Sequence, residues 1–483
     1  MPTPPLYERV ATHLGEQIRR GVLRAGERMP SLRQLGRDQG VSVTTAVEVY
    51  AQLERQGLLE ARPRSGYYIR AMPAPLPPRT TAPARLARTP QPVRQPELLC
   101  VPGELTRHAR VPLHSATPAP ALLPGAALRS ALQQVLRRDP EAAVRYAAAE
   151  GVRDLRLRIA ERYARVGVDV DPDEVVITAG AMEAISLALR VVTSPGDVVL
   201  LETPTYHGLL QAVAALGLRV LEVPTDAGGI DVACLEKQLA RQPVRAAILV
   251  PNFNNPLGSL TGDTGKRAIV AACAAHGVTL IEDDLYAELA FSGERPAPLR
   301  RFDTRGQVIT CGSYSKMLAP GLRVGWVLGG RWTQDLLRAK SFSTVATATL
   351  PQLAIADYLA RHGLDRHLRR LRRALADNAQ RSRDAILRHW PAGTCVGDPA
   401  GGLSLWVQLP QELDARRLYE AGLSRGIGSL PGDLFSLRGD HRHHLRLSYG
   451  VPWSDTVGDA LRTLGTLASA AARRGGRSRH ASN

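Results

Sequence analysis

Lysine is nearly missing from this chain. Of 62 Lys and Arg residues only four are lysine: Lys237, Lys266, Lys316 and Lys340. A composition that avoids lysine gives no general reason to keep one, but chemistry can. An uncharged lysine amine attacks aldehydes, and an arginine cannot. Cysteine is sparse as well. Cys100, Cys234, Cys273, Cys311 and Cys395 are scattered, with no CxxC and no Cys/His cluster. This argues against a metal site and for reduced thiols, as in a cytoplasmic protein. No apolar run approaches the roughly 18 residues that a membrane span needs. The first 30 residues carry Pro, Glu and Arg in place of a signal-peptide core. No internal repeat is visible.

What is present fits a globular protein of two or three domains: 483 residues, 44% apolar and 22% charged. The net charge of +17 is unevenly spread. Residues 1–96 hold 15 arginines against 7 acids, a net +8 in one fifth of the chain. A polyanion-binding module has that charge, and so does a solvated surface in a chain that prefers arginine. Residues 73–96 hold eight prolines and almost no apolar periodicity. They read as a semi-rigid linker with a reach on the order of 70 Å. The expected division is 1–71, a linker at 72–97, a large unit at 98–470 and a disordered basic tail at 471–483.

Before the linker, Leu6, Val10, Leu14 and Ile18 recur every four residues, as in an amphipathic helix ending near Gly21. Ser31 is placed to cap a second helix with Leu32 and Leu35 inward. After Gly40-Val41, Ser42 caps a third helix with Ala46, Val47, Tyr50 and Leu53 inward. Gly57-Leu58-Leu59 and Gly66-Tyr67-Tyr68-Ile69 read as two strands around Arg62-Pro63-Arg64-Ser65. Together these make a winged helix-turn-helix. Ser42, Thr44, Thr45 and Glu48 would face outward, where short polar groups reach base edges, with Arg33, Arg37, Arg62 and Arg64 on phosphates. A helical protein-interaction module with ordinary surface arginines is the competing reading.

This segment resembles the GntR family over residues 6–70. The resemblance rests on Pro5-Leu6-Tyr7, Gly21-Val22-Leu23, Gly26, Met29-Pro30-Ser31-Leu32-Arg33, Gly40-Val41-Ser42, Thr44-Thr45 and Gly57-Leu58-Leu59. It implies that Arg33 and the start of the third helix face a double-stranded DNA operator. Val43 stands where many relatives carry arginine.

From Glu97 on, short apolar runs alternate with helical patterns. Val175–Ile177, Val198–Leu201, Val220–Leu221, Ala247–Val250, Thr279–Ile281, Val308–Thr310 and Trp326–Leu328 predict buried strands of an α/β domain with a mostly parallel sheet. Ligands of such a sheet sit in loops beyond the strand ends. Gly180-Ala181-Met182 opens a helix whose free N–H groups can hold a phosphate. Tyr206 could stack on a flat ring or simply pack. Asn255, before Pro256, has an amide free for a phenolic oxygen. Asp283 could pair with a pyridinium nitrogen and Tyr286 could join Asn255, although an acidic cluster after a strand also serves as a cap.

The order Gly180, Tyr206, Asn255, Asp283, Tyr286, Lys316, Arg323 resembles fold type I aminotransferases over residues 98–470, with Ser313-Tyr314-Ser315-Lys316 as its most specific segment. The resemblance implies pyridoxal 5′-phosphate in aldimine linkage to Lys316, with phosphate held by Ser313, Ser315 and Arg323. It implies a smaller C-terminal α+β subdomain, a homodimer in which Tyr146 reaches the partner's phosphate, and Arg446 gripping a substrate carboxylate. A hydroxyl residue is common where Ala181 stands, and Gly-x-Pro-Asp where this chain has Ala116-Thr117-Pro118-Ala119-Pro120. The whole chain resembles MocR-type regulators, a GntR subfamily. It is then a transcription regulator sensing PLP, an amino acid or an amine; a working aminotransferase with a secondary DNA-binding domain, or a DNA-binding protein on an inert dimer scaffold, are the alternatives.

Overall fold

The computed structural model describes residues 6–19, 23, 26–55, 58–62, 65–69, 89–93, 107–291 and 293–480. Contacts divide it into two compact units, residues 1–77 and 78–483.

The first unit has helices α1 (Leu6–Arg19), α2 (Leu32–Asp38) and α3 (Val43–Arg55), then strands β1 (Leu59–Arg62) and β2 (Gly66–Ile69). The strands pair antiparallel, Leu59 opposite Ile69 and Arg62 opposite Gly66. Both caps form: Ser31 Oγ accepts from Gln34 N at 3.2 Å and Ser42 Oγ from Thr45 N at 3.0 Å. Gly36 lets α2 meet the turn, because a Cβ there would come within 2.9 Å of Val41 O. Val10, Leu14, Ile18, Leu35, Ala46, Val49, Tyr50, Leu53 and Ile69 form the core. Two expected inward residues are not in it. Leu6 is exposed in the first turn of α1, and Val47 is 44% exposed while Val49 is fully buried. On α3 the inward face is Ala46, Val49, Tyr50 and Leu53, an i, i+3, i+4, i+7 stripe that Val47 lies off.

The second unit is built on a nine-stranded sheet: β3 (Gln91–Pro92), β4 (Val175–Thr178), β5 (Val198–Thr203), β6 (Arg219–Asp226), β7 (Gly229–Ile230), β8 (Val244–Leu249), β9 (Thr279–Asp283), β10 (Val308–Ser313) and β11 (Gly325–Leu328). Its order is β3-β6-β5-β8-β9-β10-β11-β4, with β7 folded onto β6. All seven expected runs fall in it. The β6-β5-β8-β9-β10 centre is parallel. Because β11 is antiparallel to both β10 and β4, β4 runs in the same direction as β10. Helices on the faces bury β4, β5, β9, β10 and β11 throughout, which is why these strands read as continuous apolar runs. A second, antiparallel sheet has the order β12-β13-β15-β14, formed by Cys395–Val396, Ser404–Gln408, His444–Ser448 and Leu430–Pro431. This is the expected smaller subdomain.

Two boundaries differ from expectation. Gln91–Pro92, read as linker, pairs with Arg219 and Val220 on the sheet edge, where Pro needs no ladder donor on its outer side. The last helix, Asp455–His480, runs through residues read as a disordered tail. Among the described residues, no helix is long and apolar enough to cross a membrane, and no His/Cys/Asp/Glu group could hold a metal.

Candidate functional site

Strands β4, β5, β8, β9 and β10 point the same way, so the loops after them meet at one edge of the sheet. There they enclose a cavity of about 400 Å³. Its lining contains Ala181 and Met182 after β4, Tyr206 after β5, Asn255 after β8, and Asp283 and Tyr286 at the end of β9. It also contains Ser313, Ser315 and Lys316 at the end of β10, Arg323 in the turn before β11, and Arg446 from β15 of the smaller sheet. Eleven sequence-expected residues thus share one space.

Lys316 is half-buried, and its Nζ donates to Thr117 Oγ1 at 2.9 Å. Burial, then the nearby Arg446 cation, brings the amine down to about 8 from its ordinary 10.5. Asp283 is buried and its Oδ1 has no hydrogen-bond partner. Burial, then Asp284, pushes its carboxyl up to about 7. Such an acid is poised for a cationic partner, which would restore its charge. Asn255 Nδ2 donates to Tyr286 Oη at 3.4 Å, so the two expected partners do meet. Arg446 is buried: Nη1 donates to Asn255 Oδ1 at 3.3 Å and Nη2 to His114 O, while Nε has no partner. Burial pulls its guanidinium down to about 10, still a cation at neutral pH.

The other end of the cavity is built for an anion. Gly180 ends the β4 loop at φ +106°, and the helix Ala181–Val192 begins there with unfilled N–H groups. Arg323, itself left-handed at φ 52°, lays its guanidinium against Gly180; a Cβ at Gly180 would sit 2.4 Å from Nη2. Nη1 donates to Ser315 Oγ at 3.2 Å and Nη2 to Ala179 O at 2.8 Å. The Ser313 and Ser315 hydroxyls lie 2.8 Å apart.

Three polar lining residues were not anticipated from the sequence: Thr117, His114 and His207. Thr117 belongs to the segment read as a departure, and it supplies the hydroxyl that meets Lys316. His114 and His207 are held neutral, at about 4 and about 3, first by burial and then by Arg446. Gly180 does not line the cavity but shapes it through Arg323. Tyr146 is outside the cavity and 86% exposed. In the first unit Arg33, Ser42 and Thr44 are exposed on α2 and α3, and Thr45 is half-buried with its Oγ1 2.8 Å from Ser42 Oγ. Arg64 lies outside the described residues.

The comparisons agree with this geometry. Residues 121–458 match the family Aminotransferase class I and II, and residues 6–69 match Bacterial regulatory proteins, gntR family. The "Uncharacterized HTH-type transcriptional regulator YdcR" of Escherichia coli is 40% identical, over 95% of this chain and 98% of its own. The "Probable rhizopine catabolism regulatory protein MocR" of Rhizobium meliloti is 27% identical, over 88% and 86%. The chain belongs to the MocR-type regulators. Among solved structures, the α-aminoadipate aminotransferase LysN of Thermus thermophilus, complexed with N-(5′-phosphopyridoxyl)-L-leucine, covers 77% of this MocR-type chain and 95% of its own. Its TM-score is 0.72 and its identity 32%.

Pyridoxal 5′-phosphate is the cofactor of this MocR-type protein, and the cavity fits it. The unpartnered Asp283 Oδ1, the pre-formed anion end at Gly180 and Arg323, and a low-titrating amine at Lys316 are what its ring nitrogen, phosphate and aldehyde require. Asn255 and Tyr286 would take the phenolic oxygen. The gntR-family unit makes the protein DNA-binding.

Proposed function

We propose that this protein is a cytoplasmic homodimeric transcription regulator that binds operator DNA through its winged helices and senses an amino acid, an amine or PLP in the cavity. The bound cofactor supplies an aldehyde that captures amines and a ring that withdraws electrons. The protein's own residues do the rest. Lys316 presents a partly neutral amine, and Asp283 would hold a proton on the ring nitrogen. Arg323, Ser313, Ser315 and the N–H groups of Ala181 and Met182 would bind the phosphate, and Tyr206 would pack against the ring. Arg446, with its unpartnered Nε, receives a carboxylate. The dimer reading is supported by Val144, Tyr146 and Phe342, large apolar groups more than 80% exposed on the second unit.

The observation that carries the reading is the pairing of a DNA-binding unit with a cavity in which an amine, a buried carboxylate with one unpartnered oxygen and a buried guanidinium converge. A ligand alters DNA binding only if it favours one arrangement of the dimer over another. Arg446→Ala should therefore abolish the DNA-binding response to an amino acid while cofactor absorbance and basal DNA binding stay near normal. An undiminished response would remove Arg446 from the effector site. The completeness of the same cavity favours a second reading, an aminotransferase with a secondary DNA-binding domain. Amino–keto exchange at roughly 1 per second or faster, with no DNA site, would establish that one.

A further inference from the structure

The exposed surface of α3 includes an apolar pair. Val43 is 49% exposed and Val47 44% exposed, one helical turn apart, along the edge of the buried stripe of Ala46, Val49, Tyr50 and Leu53. Thr44 and Glu48 flank them, both exposed. In a helix-turn-helix the second helix of the motif enters the major groove and its N-terminal residues meet base edges. Here that helix is α3, and Val43, Thr44 and Val47 are its first turns. Arg33 and Arg37, exposed on α2, give the adjoining surface the positive charge that phosphates select.

The chemistry of this face is narrow. Residues 43–48 read Val-Thr-Thr-Ala-Val-Glu, with no arginine or lysine. They therefore have no donor fork for the O6 and N7 of guanine, the commonest specific contact in the major groove. An isopropyl group has one complementary feature there, the C5-methyl of thymine. Side chains at i and i+4 stand about 5–6 Å apart, one to two base-pair steps of about 3.4 Å.

We propose that Val43 and Val47 read the methyl groups of two thymines in each operator half-site, so that α3 recognises an apolar feature of the sequence where an arginine would recognise guanine. The inference rests on the DNA-binding reading and goes beyond it in naming the bases and the atoms.

The test removes only the methyl. Duplexes bound by the full-length, cofactor-loaded protein are selected from a random pool, and each thymine of the half-site is replaced in turn by uracil. Affinity is read at one fixed salt concentration. Two thymines per half-site should be uracil-sensitive, each losing about fourfold, the worth of burying one methyl-sized group. Val47→Ala should erase the sensitivity at one of them and Val43→Ala at the other, with spacer thymines indifferent throughout. Both valines are exposed and alanine is a better helix former, so the variants keep the fold. Half-sites with no uracil-sensitive thymine, or full sensitivity retained in both variants, would overturn the proposal. A pool that yields no bound duplex would instead remove the DNA-binding reading beneath it.

Discussion

The titration of Lys316 is where the cavity's physics becomes a rate. Only the neutral amine attacks an aldehyde, so capture of the cofactor by cofactor-free protein follows the neutral fraction. At pH 7.5 an amine titrating at about 8 is about one quarter neutral, against about 0.1% for one at its ordinary 10.5. The advantage is on the order of 200-fold. The sign follows from the surroundings. Burial penalises the ammonium form, and Arg446 and then Arg323 repel it, all of which lower the value; Asp283 attracts it and raises it. The capture rate, followed by stopped-flow absorbance, should thus rise with pH, pass its midpoint near 8 and level off above about 9. Arg446→Gln deletes the largest neighbouring charge and should move the midpoint upward. A rate still climbing at pH 10 would mean that the cavity does not perturb Lys316, and an upward shift absent from Arg446→Gln would mean that the two groups do not face one another.

Three further outcomes test other parts. Asp283→Ala should weaken cofactor binding by about 1.5–3 kcal/mol, the worth of a hydrogen bond to a charged group, read by equilibrium absorbance; an unchanged dissociation constant would free Asp283 of the role. Gly180→Ala should strain a position held at φ +106° and displace the Arg323 guanidinium, lowering affinity for inorganic phosphate and cofactor alike. Wild-type affinity in that variant would mean Arg323 does not hold the anion. Arg33→Ala should weaken DNA binding equally on all sequences and reduce the slope of log affinity against log salt by about 1, whereas an altered sequence preference would assign Arg33 to bases.

The strands of the second unit were legible because they are buried on both faces and so read as unbroken apolar runs. Their C-terminal loops followed from that, and with them most of the cavity. Scarcity alone does not single out Lys316. Lys266 and Lys340 are fully buried where Lys316 is half-buried, and donate respectively to Asn252 Oδ1 and Ala297 O and to Ala149 O and Ile177 O. Scarcity therefore marks positions built around an amine, and only the strand-end setting separates Lys316 from its structural counterparts. Thr117 was illegible because its partner lies 199 residues away, and His114 meets Arg446 across 332. No local pattern encodes such contacts. Val47 and Val49 are chemically alike, and only the helical phase set by Ala46, Tyr50 and Leu53 tells which is buried. Proline density hid the short pairing of Gln91–Pro92, which depends on an edge formed by β6 more than 100 residues later.

The central claim, that one cavity governs DNA binding, is tested most directly by a single titration with two readouts. Cofactor-loaded protein on a fluorescent duplex carrying its operator is titrated with an amino acid or amine, and visible absorbance and DNA anisotropy are recorded from the same sample. The account predicts at least one ligand that changes both signals with a common midpoint, and with Arg446→Ala shifting both midpoints together when that ligand bears a carboxylate. Ligands that change the absorbance to saturation while anisotropy stays constant would contradict it.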